Sequence, residues 1–316
     1  MVPCLSTPIY SLFIFIGGNN MYDMHNDLLT LAYLCYIKDD YSPLIEFNNK
    51  IKKGNVEGIV ANLYFMSKEE MRNELGEEYY TNESIIKMFT RSKSILNKYI
   101  PNVSFLYSIE GCDYIDIDDL YNLKKEGLNS ILLVWNNPNK YGSGNRDNYG
   151  LTKLGIEFIN KAIKLGIGID LSHANERTFD DIYNIVINRY DKVYASHSNI
   201  KSIFNHNRNL SDEQLYKLKN LNGKLGLVAT NLFVKDIDEY IEHIKYSSDI
   251  LGVDNIMISS DNMDYLCKEY RDTKLFEYEN MYNTLKNKLK KYFNEEEINK
   301  ILYNNSNRLF KLIRSE

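Results

Sequence analysis

The chain has 316 residues, 44% hydrophobic and 26% charged, which is the composition of a folded globular protein and excludes a disordered or collagen-like one. Against 38 Lys and Arg stand 43 Asp and Glu, giving a formal charge of −5. That mildly acidic balance argues against a nucleic-acid groove or an anionic membrane surface as the main partner.

In chain order, the first feature is the apolar run 9–16 (IYSLFIFI), ended by Gly17-Gly18-Asn19-Asn20. It is too short to span a bilayer, and it lacks the basic stretch and small-x-small site of a secretory signal. Residues 1–20 are therefore expected to be an N-terminal extension, with Met21 a candidate true start. From there, short apolar runs alternate with longer amphipathic stretches. The runs are 21–25, 58–63, 103–109, 130–135, 167–171, 192–195, 224–229 and 255–259. Most are apolar throughout, as strands buried on both faces are.

Between them, 84–99 and 151–165 carry apolar residues at helical spacing. Ser211-Asp212-Glu213-Gln214 is a capping-box pattern opening a further helix. Two more helices are expected over 238–250 and 276–293. With only 5 Pro and 16 Gly and no low-complexity stretch, no linker divides the chain. Strand–helix alternation at this scale predicts a parallel sheet. Eight units fit a single (β/α)8 barrel over 21–316, with an open doubly wound sheet as the alternative. No GxGxxG or GxxxxGK[ST] follows a strand, so nucleotide-binding versions lose support.

The 4 cysteines, Cys4, Cys35, Cys112 and Cys267, form no CxxC pair and match no zinc-finger or disulfide spacing. They read as free thiols in a reducing, cytoplasmic setting.

The chemistry lies in where the few histidines fall. Of 5, three sit at or just beyond the end of a predicted strand: His25 ends the first, His173 follows the fifth and His197 the sixth. Glu110 ends the third strand and Asp261 the eighth. In a parallel barrel the C-terminal strand ends converge on one face, where the active sites of such barrels lie. His25, Asp27, Glu110, His173, His197 and Asp261 would then share one pocket. Imidazoles with carboxylates are the ligand set of zinc and similar divalent ions. In His25-Asn26-Asp27 alternate residues share a face, so one metal can take both. His173 and His197, from adjacent strands, can hold a second, with Glu110 bridging. His243 reads as a helix-surface residue, and His206 has no metal-type context. Arg208 reads as a loop charge ahead of the Ser211 cap.

His25-Asn26-Asp27, Glu110-Gly111, Asp170-Leu171-Ser172-His173, Ser196-His197-Ser198, Arg208-Asn209 and Ser260-Asp261, in this order, resemble the membrane dipeptidase (renal dipeptidase) family of zinc metallopeptidases. The resemblance runs from Met21 to Asn307-Arg308-Leu309. It implies an amidohydrolase-type barrel with two Zn2+ per chain, cleaving dipeptides, many with a D-residue at the C-terminal position. It puts His25 and Asp27 on the first zinc, His173 and His197 on the second, and Glu110 between them. A water shared by the two ions would be the nucleophile. Arg208 would hold the substrate carboxylate, which suits a guanidinium fork. Asp261 would carry the proton to the leaving amine.

Where the family often has a histidine that polarises the scissile carbonyl, this chain has Trp135-Asn136. An indole N–H donates a hydrogen bond but carries no proton, and Asn136 can also donate, so both residues are expected against the substrate. The family is often dimeric, which admits a homodimer. Two other readings stay open: a hydrolase of another small amide, lactone or cyclic amide on the same barrel, and a non-catalytic metal- or peptide-binding relative.

Overall fold

The computed structural model describes residues 20–65, 72, 83–262 and 273–315. Residues 1–19 of the expected N-terminal extension, Cys4 among them, and Cys267 fall outside them.

Eight strands form one sheet in strict sequence order, all neighbours parallel: β1 (Met21–Asn26), β2 (Val56–Tyr64), β3 (Ser104–Glu110), β4 (Ser130–Leu132), β5 (Gly168–Asp170), β6 (Val193–Ala195), β7 (Lys224–Val228) and β8 (Ile256–Ser259). The ends of β1 and β8 meet at a parallel bridge between Asn26 and Asn262, and the Asp261 amide donates to the His25 carbonyl at 3.1 Å. The sheet is thereby drawn round into the expected (β/α)8 barrel. All eight predicted runs are strands. The fourth is shorter than predicted, because Leu133–Trp135 leave the ladder after Leu132.

The helices are α1 (Leu28–Lys38), α2 (Ser42–Lys53), α3 (Ile85–Tyr99), α4 (Asp119–Lys125), α5 (Lys153–Lys164), α6 (Glu176–Val186), α7 (Asp212–Asn220), α8 (Ile237–Leu251), α9 (Met281–Leu289), α10 (Glu295–Asn299) and α11 (Asn305–Arg314). Their starts follow local chemistry. Thr152 accepts from the Gly155 amide at 3.0 Å, Asn175 from the Thr178 amide at 2.7 Å, and Ser211 with Gln214 closes the predicted capping box. The stretch 276–293 is not one helix as predicted: a 3-10 turn over Tyr278–Asn280 precedes α9, which stops at Leu289. None of these helices is long and apolar enough to cross a membrane.

One apolar layer packs between sheet and helices. A second fills the barrel itself, where Tyr22, Met24, Val60, Leu106, Tyr194 and Met257 meet Leu309, Phe310 and Ile313 of α11. Arg314 of α11 donates to the Phe105 carbonyl at 2.7 Å, near the start of β3. The C-terminal helix thus plugs the N-terminal end of the barrel and leaves the opposite mouth for side-chain chemistry.

Candidate metal centre

At that mouth the strand ends deliver the residues the sequence singled out. His25 is in β1, Asp27 follows it at the start of α1, Glu110 ends β3, and His173 and His197 lie in the turns after β5 and β6. All five are buried, and the Asp261 side chain is 14% exposed. Glu110 divides its carboxylate: Oε1 lies 2.8 Å from His173 Nε2 and 3.8 Å from His197 Nε2, while Oε2 lies 3.3 Å from His25 Nε2. His25 Nε2 is 3.9 Å from Asp27 Oδ1 and 3.8 Å from Asp261 Oδ1. Three groups of potential donors result among the described residues, Glu110 with His173 and His197, His25 with Asp27 and Asp261, and His25 with Asp170 and His197, each with its donor atoms within 4.8 Å of one another.

The protonation pattern of His173, His197 and Glu110 suits metal ligands. Burial and the nearby Arg208 charge lower His173 to about 4, and burial with the His25 charge holds His197 well below the usual range, so both rings are neutral near pH 7. Burial opposes ionised Glu110, but His173 and His25 outweigh it and hold the carboxylate far below its usual range. Burial raises Asp27 to about 7, with the His25 charge opposing and the Glu110 charge adding. Burial also disfavours the His25 cation, yet Glu110, Asp261 and Asp27 push it up to about 10. Negative charge is thus concentrated around His25, where Glu110, Asp27 and Asp261 converge.

Polar neighbours hold these side chains. Asn62, in β2, donates to Asp27 Oδ1 at 3.1 Å and to Glu110 Oε2 at 2.8 Å, tying the first two donor groups together. His173 Nδ1 meets Asn136 Oδ1 at 2.9 Å. An amide oxygen only accepts, so Nδ1 bears the hydrogen and Nε2 presents its lone pair. His197 Nδ1 meets Ser196 Oγ at 2.6 Å, which allows the same tautomer. Such outer partners orient metal-binding imidazoles. Asp23, buried under the site, accepts from the Ser260 amide at 2.8 Å and hydroxyl at 2.6 Å and from the Tyr278 hydroxyl at 3.1 Å, pinning the turn that carries Asp261. His173 and Asp261 both have positive φ, 67° and 48°, a costly backbone for such residues that recurs at functional sites.

Among the described residues, His25 Nε2, Glu110 Oε1 and Arg208 Nε are buried without a hydrogen-bond partner. Orphaned imidazole and carboxylate atoms converging in a buried cleft fit divalent metal ions of the zinc type.

Arg208 is not a solvated loop charge but 4% exposed, with Nη1 donating to Ser198 Oγ at 3.2 Å and Nη2 to the His197 carbonyl at 3.1 Å. Burial lowers it to about 10, still cationic. Trp135 is half-buried, its ring 5.1 Å from Tyr64 and 6.2 Å from His173. Asn136 stands beside it and uses its oxygen on His173. His206 is exposed and belongs to none of the donor groups. His243 corrects the sequence reading: it is fully buried, and Nδ1 accepts from the Ile200 amide at 3.0 Å. It lies in the stripe of α8 formed by Tyr240, Ile244, Ser247 and Leu251, which faces the barrel. Asn62, Asp23 and Asp170 are site residues that sequence reasoning did not select. Asp170 stood inside a quoted motif, and only cross-strand register reveals Asn62, which pairs with Ser108 beside Glu110.

Comparison with known proteins agrees with the architecture. Residues 48–315 match the family model described as membrane dipeptidase, peptidase family M19. An uncharacterized protein in the pqqA 5' region of Klebsiella pneumoniae is 30% identical over 172 residues, covering 48% of this chain and 62% of that protein. The chain therefore spans less than two thirds of that curated relative. Among solved structures, the dipeptidase AC, a metallo peptidase of family M19, superposes with a TM-score of 0.73 at 19% identity, covering 92% of this chain and 98% of the other. A metallo peptidase from Rhodobacter sphaeroides, liganded with a phosphinate mimic of the dipeptide L-Ala-D-Ala, gives 0.72 at 19% identity over 92% and 98%. At such identity these two matches speak for the fold.

Proposed function

The chain belongs to the membrane dipeptidase family, peptidase family M19, and from that membership and the geometry of the mouth we propose that it is a zinc-dependent dipeptidase. The observation that carries this is the split carboxylate of Glu110, which offers one oxygen to His25 and the other to His173. His25 and Asp27 would hold one metal ion, His173 and His197 a second, and Glu110 both. Bound there, two divalent ions supply Lewis acidity to a peptide carbonyl and bring water ionisation toward neutral pH.

The remaining work falls to the chain's own side chains. Arg208 retains N–H donors beyond those bound to Ser198 and His197, among them the orphaned Nε, and its charge suits the C-terminal carboxylate of a short peptide. Asp261, at the edge of the cleft, is placed to accept a proton and deliver it to the departing amine. Trp135, with Tyr64, walls the His173 side. The ligand of the Rhodobacter sphaeroides relative, a mimic of L-Ala-D-Ala, favours substrates with a D-residue at the C-terminal position. The cytoplasmic setting rests on Cys35 and Cys112, both buried free thiols. A homodimer is part of the reading through the family and is checked by light scattering.

A panel of L,L- and L,D-dipeptides set against lactones and dihydropyrimidines tests the assignment. Zinc-dependent cleavage of dipeptides is the expected result. Turnover confined to lactones or cyclic amides would move the chain to another hydrolase class, and peptide binding without turnover would make it a binding protein.

A further inference from the structure

Asp170, the last residue of β5, is buried, and neither proposed metal pair uses it. Its Oδ1 accepts from the Ser172 amide at 3.0 Å and from the Ser196 amide at 2.9 Å. Those two residues immediately precede His173 and His197, so one carboxylate oxygen joins the two turns that present both imidazoles. Ser172 extends the tie, its hydroxyl accepting from the His197 amide at 3.0 Å. His173 sits at φ 67°, a conformation that persists only where the surroundings over-determine it. The other oxygen, Oδ2, is buried with no hydrogen-bond partner among the described residues. A carboxylate oxygen of Asp170 and one ring nitrogen of each of His25 and His197 lie within 4.8 Å of one another.

We propose that Asp170 is a positioning residue of the metal centre: one oxygen clamps the His173 and His197 turns together, and the other sets a negative charge against the His25 and His197 rings. The inference rests on the metal reading above. The clamp fixes where the two Nε2 atoms point, and the charge favours a cation on the rings. Outer-sphere groups of this kind typically alter metal affinity about 10- to 100-fold.

The test is zinc affinity of the full-length chain, by competition with a chromophoric chelator, with thermal unfolding of the metal-free chain and dipeptide hydrolysis measured alongside. Asp170→Asn keeps an oxygen for both amides and removes the charge. It is expected to leave metal-free unfolding within a few degrees of wild type and to weaken zinc binding about 10-fold. Asp170→Ala removes both and is expected to weaken it about 100-fold; should it fail to fold, the Asn variant decides. Wild-type zinc affinity in the variants would overturn the proposal, whatever happens to the unfolding midpoint. So would loss of a whole zinc equivalent at saturating metal in Asp170→Asn, which would make Asp170 a ligand. A wild-type chain that binds zinc but cleaves no dipeptide would sink the dipeptidase reading and leave the clamp standing, since the clamp is read from affinity. A wild-type chain that takes up no zinc would sink both.

Discussion

His173 and His197 meet through their Nε2 atoms, 2.9 Å apart. Asn136 fixes the hydrogen of His173 on Nδ1, so the facing Nε2 is a lone pair, and Glu110 Oε1 closes on the same point from 2.8 Å. The His173 lone pair and a carboxylate oxygen at that distance repel unless positive charge lies between them. Removing one of these donors is therefore expected to remove metal and catalysis in the same step. In His173→Ala or Glu110→Ala, elemental analysis should find depleted zinc, and dipeptide hydrolysis should fall by about 100-fold or more, the equivalent of some 3 kcal/mol of transition-state stabilisation. Wild-type rates in either variant would show that these residues hold no essential metal.

Arg208 offers a charge rather than a metal ligand, and its loss should separate from theirs. A charge-assisted hydrogen bond is worth about 1.5–3 kcal/mol, so the wild-type enzyme should prefer a free dipeptide to its C-terminal amide by about 10- to 100-fold in kcat/KM. Arg208→Ala should lose that preference while retaining zinc. Arg208→Lys should recover only part of it, because an ammonium lacks the planar fork. An Arg208→Ala variant that still discriminates against the amide would place the carboxylate elsewhere.

His243 makes stability depend on pH. Burial lowers its pKa to about 4 from 6.5, so the unfolded chain binds the extra proton first as pH falls. Its contribution is complete above pH 6.5 and is lost progressively down to about pH 4, on the order of 3 kcal/mol in all. Thermal unfolding of the metal-free chain at pH 7 and pH 5 should show the loss, and His243→Gln should reduce the difference, leaving the share that His173 and His197 contribute. Equal pH dependence in both proteins would assign the effect to other groups.

Gly226, in β7, has no room for a side chain. A Cβ there would sit 1.9 Å from the Ser196 carbonyl oxygen and 3.2 Å from Met24 Cβ. Gly226→Ala should destabilise the barrel by about 1–3 kcal/mol through overpacking, read from denaturant unfolding. Unchanged stability would mean that β6 and β7 separate more easily than their packing indicates.

The strands were readable because burial on both faces makes them continuous apolar runs, and the ligands because strand ends in such a barrel all open on one mouth. The helices were less so. In α1, eight residues from Leu28 to Cys35 are buried, so the segment has no polar face and no helical period. The stretch 276–293 has the period, but Tyr278 turns into the core to reach Asp23, and a 3-10 turn replaces the first part of the helix. His243 was misread because a histidine on a helix with charged neighbours looks exposed, and only the packing of α8 shows its face turned inward. Asn62 and Asp170 could not be chosen from sequence, since their task depends on which strand lies beside which. In the sequence only the resemblance points to Arg208, and its burial in the structure is an independent physical sign of a role.

The central claim, that the gathered imidazoles and carboxylates hold a pair of catalytic cations, is tested most directly by metal content set beside activity. Elemental mass spectrometry of the chain reconstituted in zinc should find two equivalents bound, with dipeptide hydrolysis abolished by a chelator and restored by adding zinc back. A chain that stays metal-free in abundant zinc, or that cleaves dipeptides just as fast once stripped, would contradict the account.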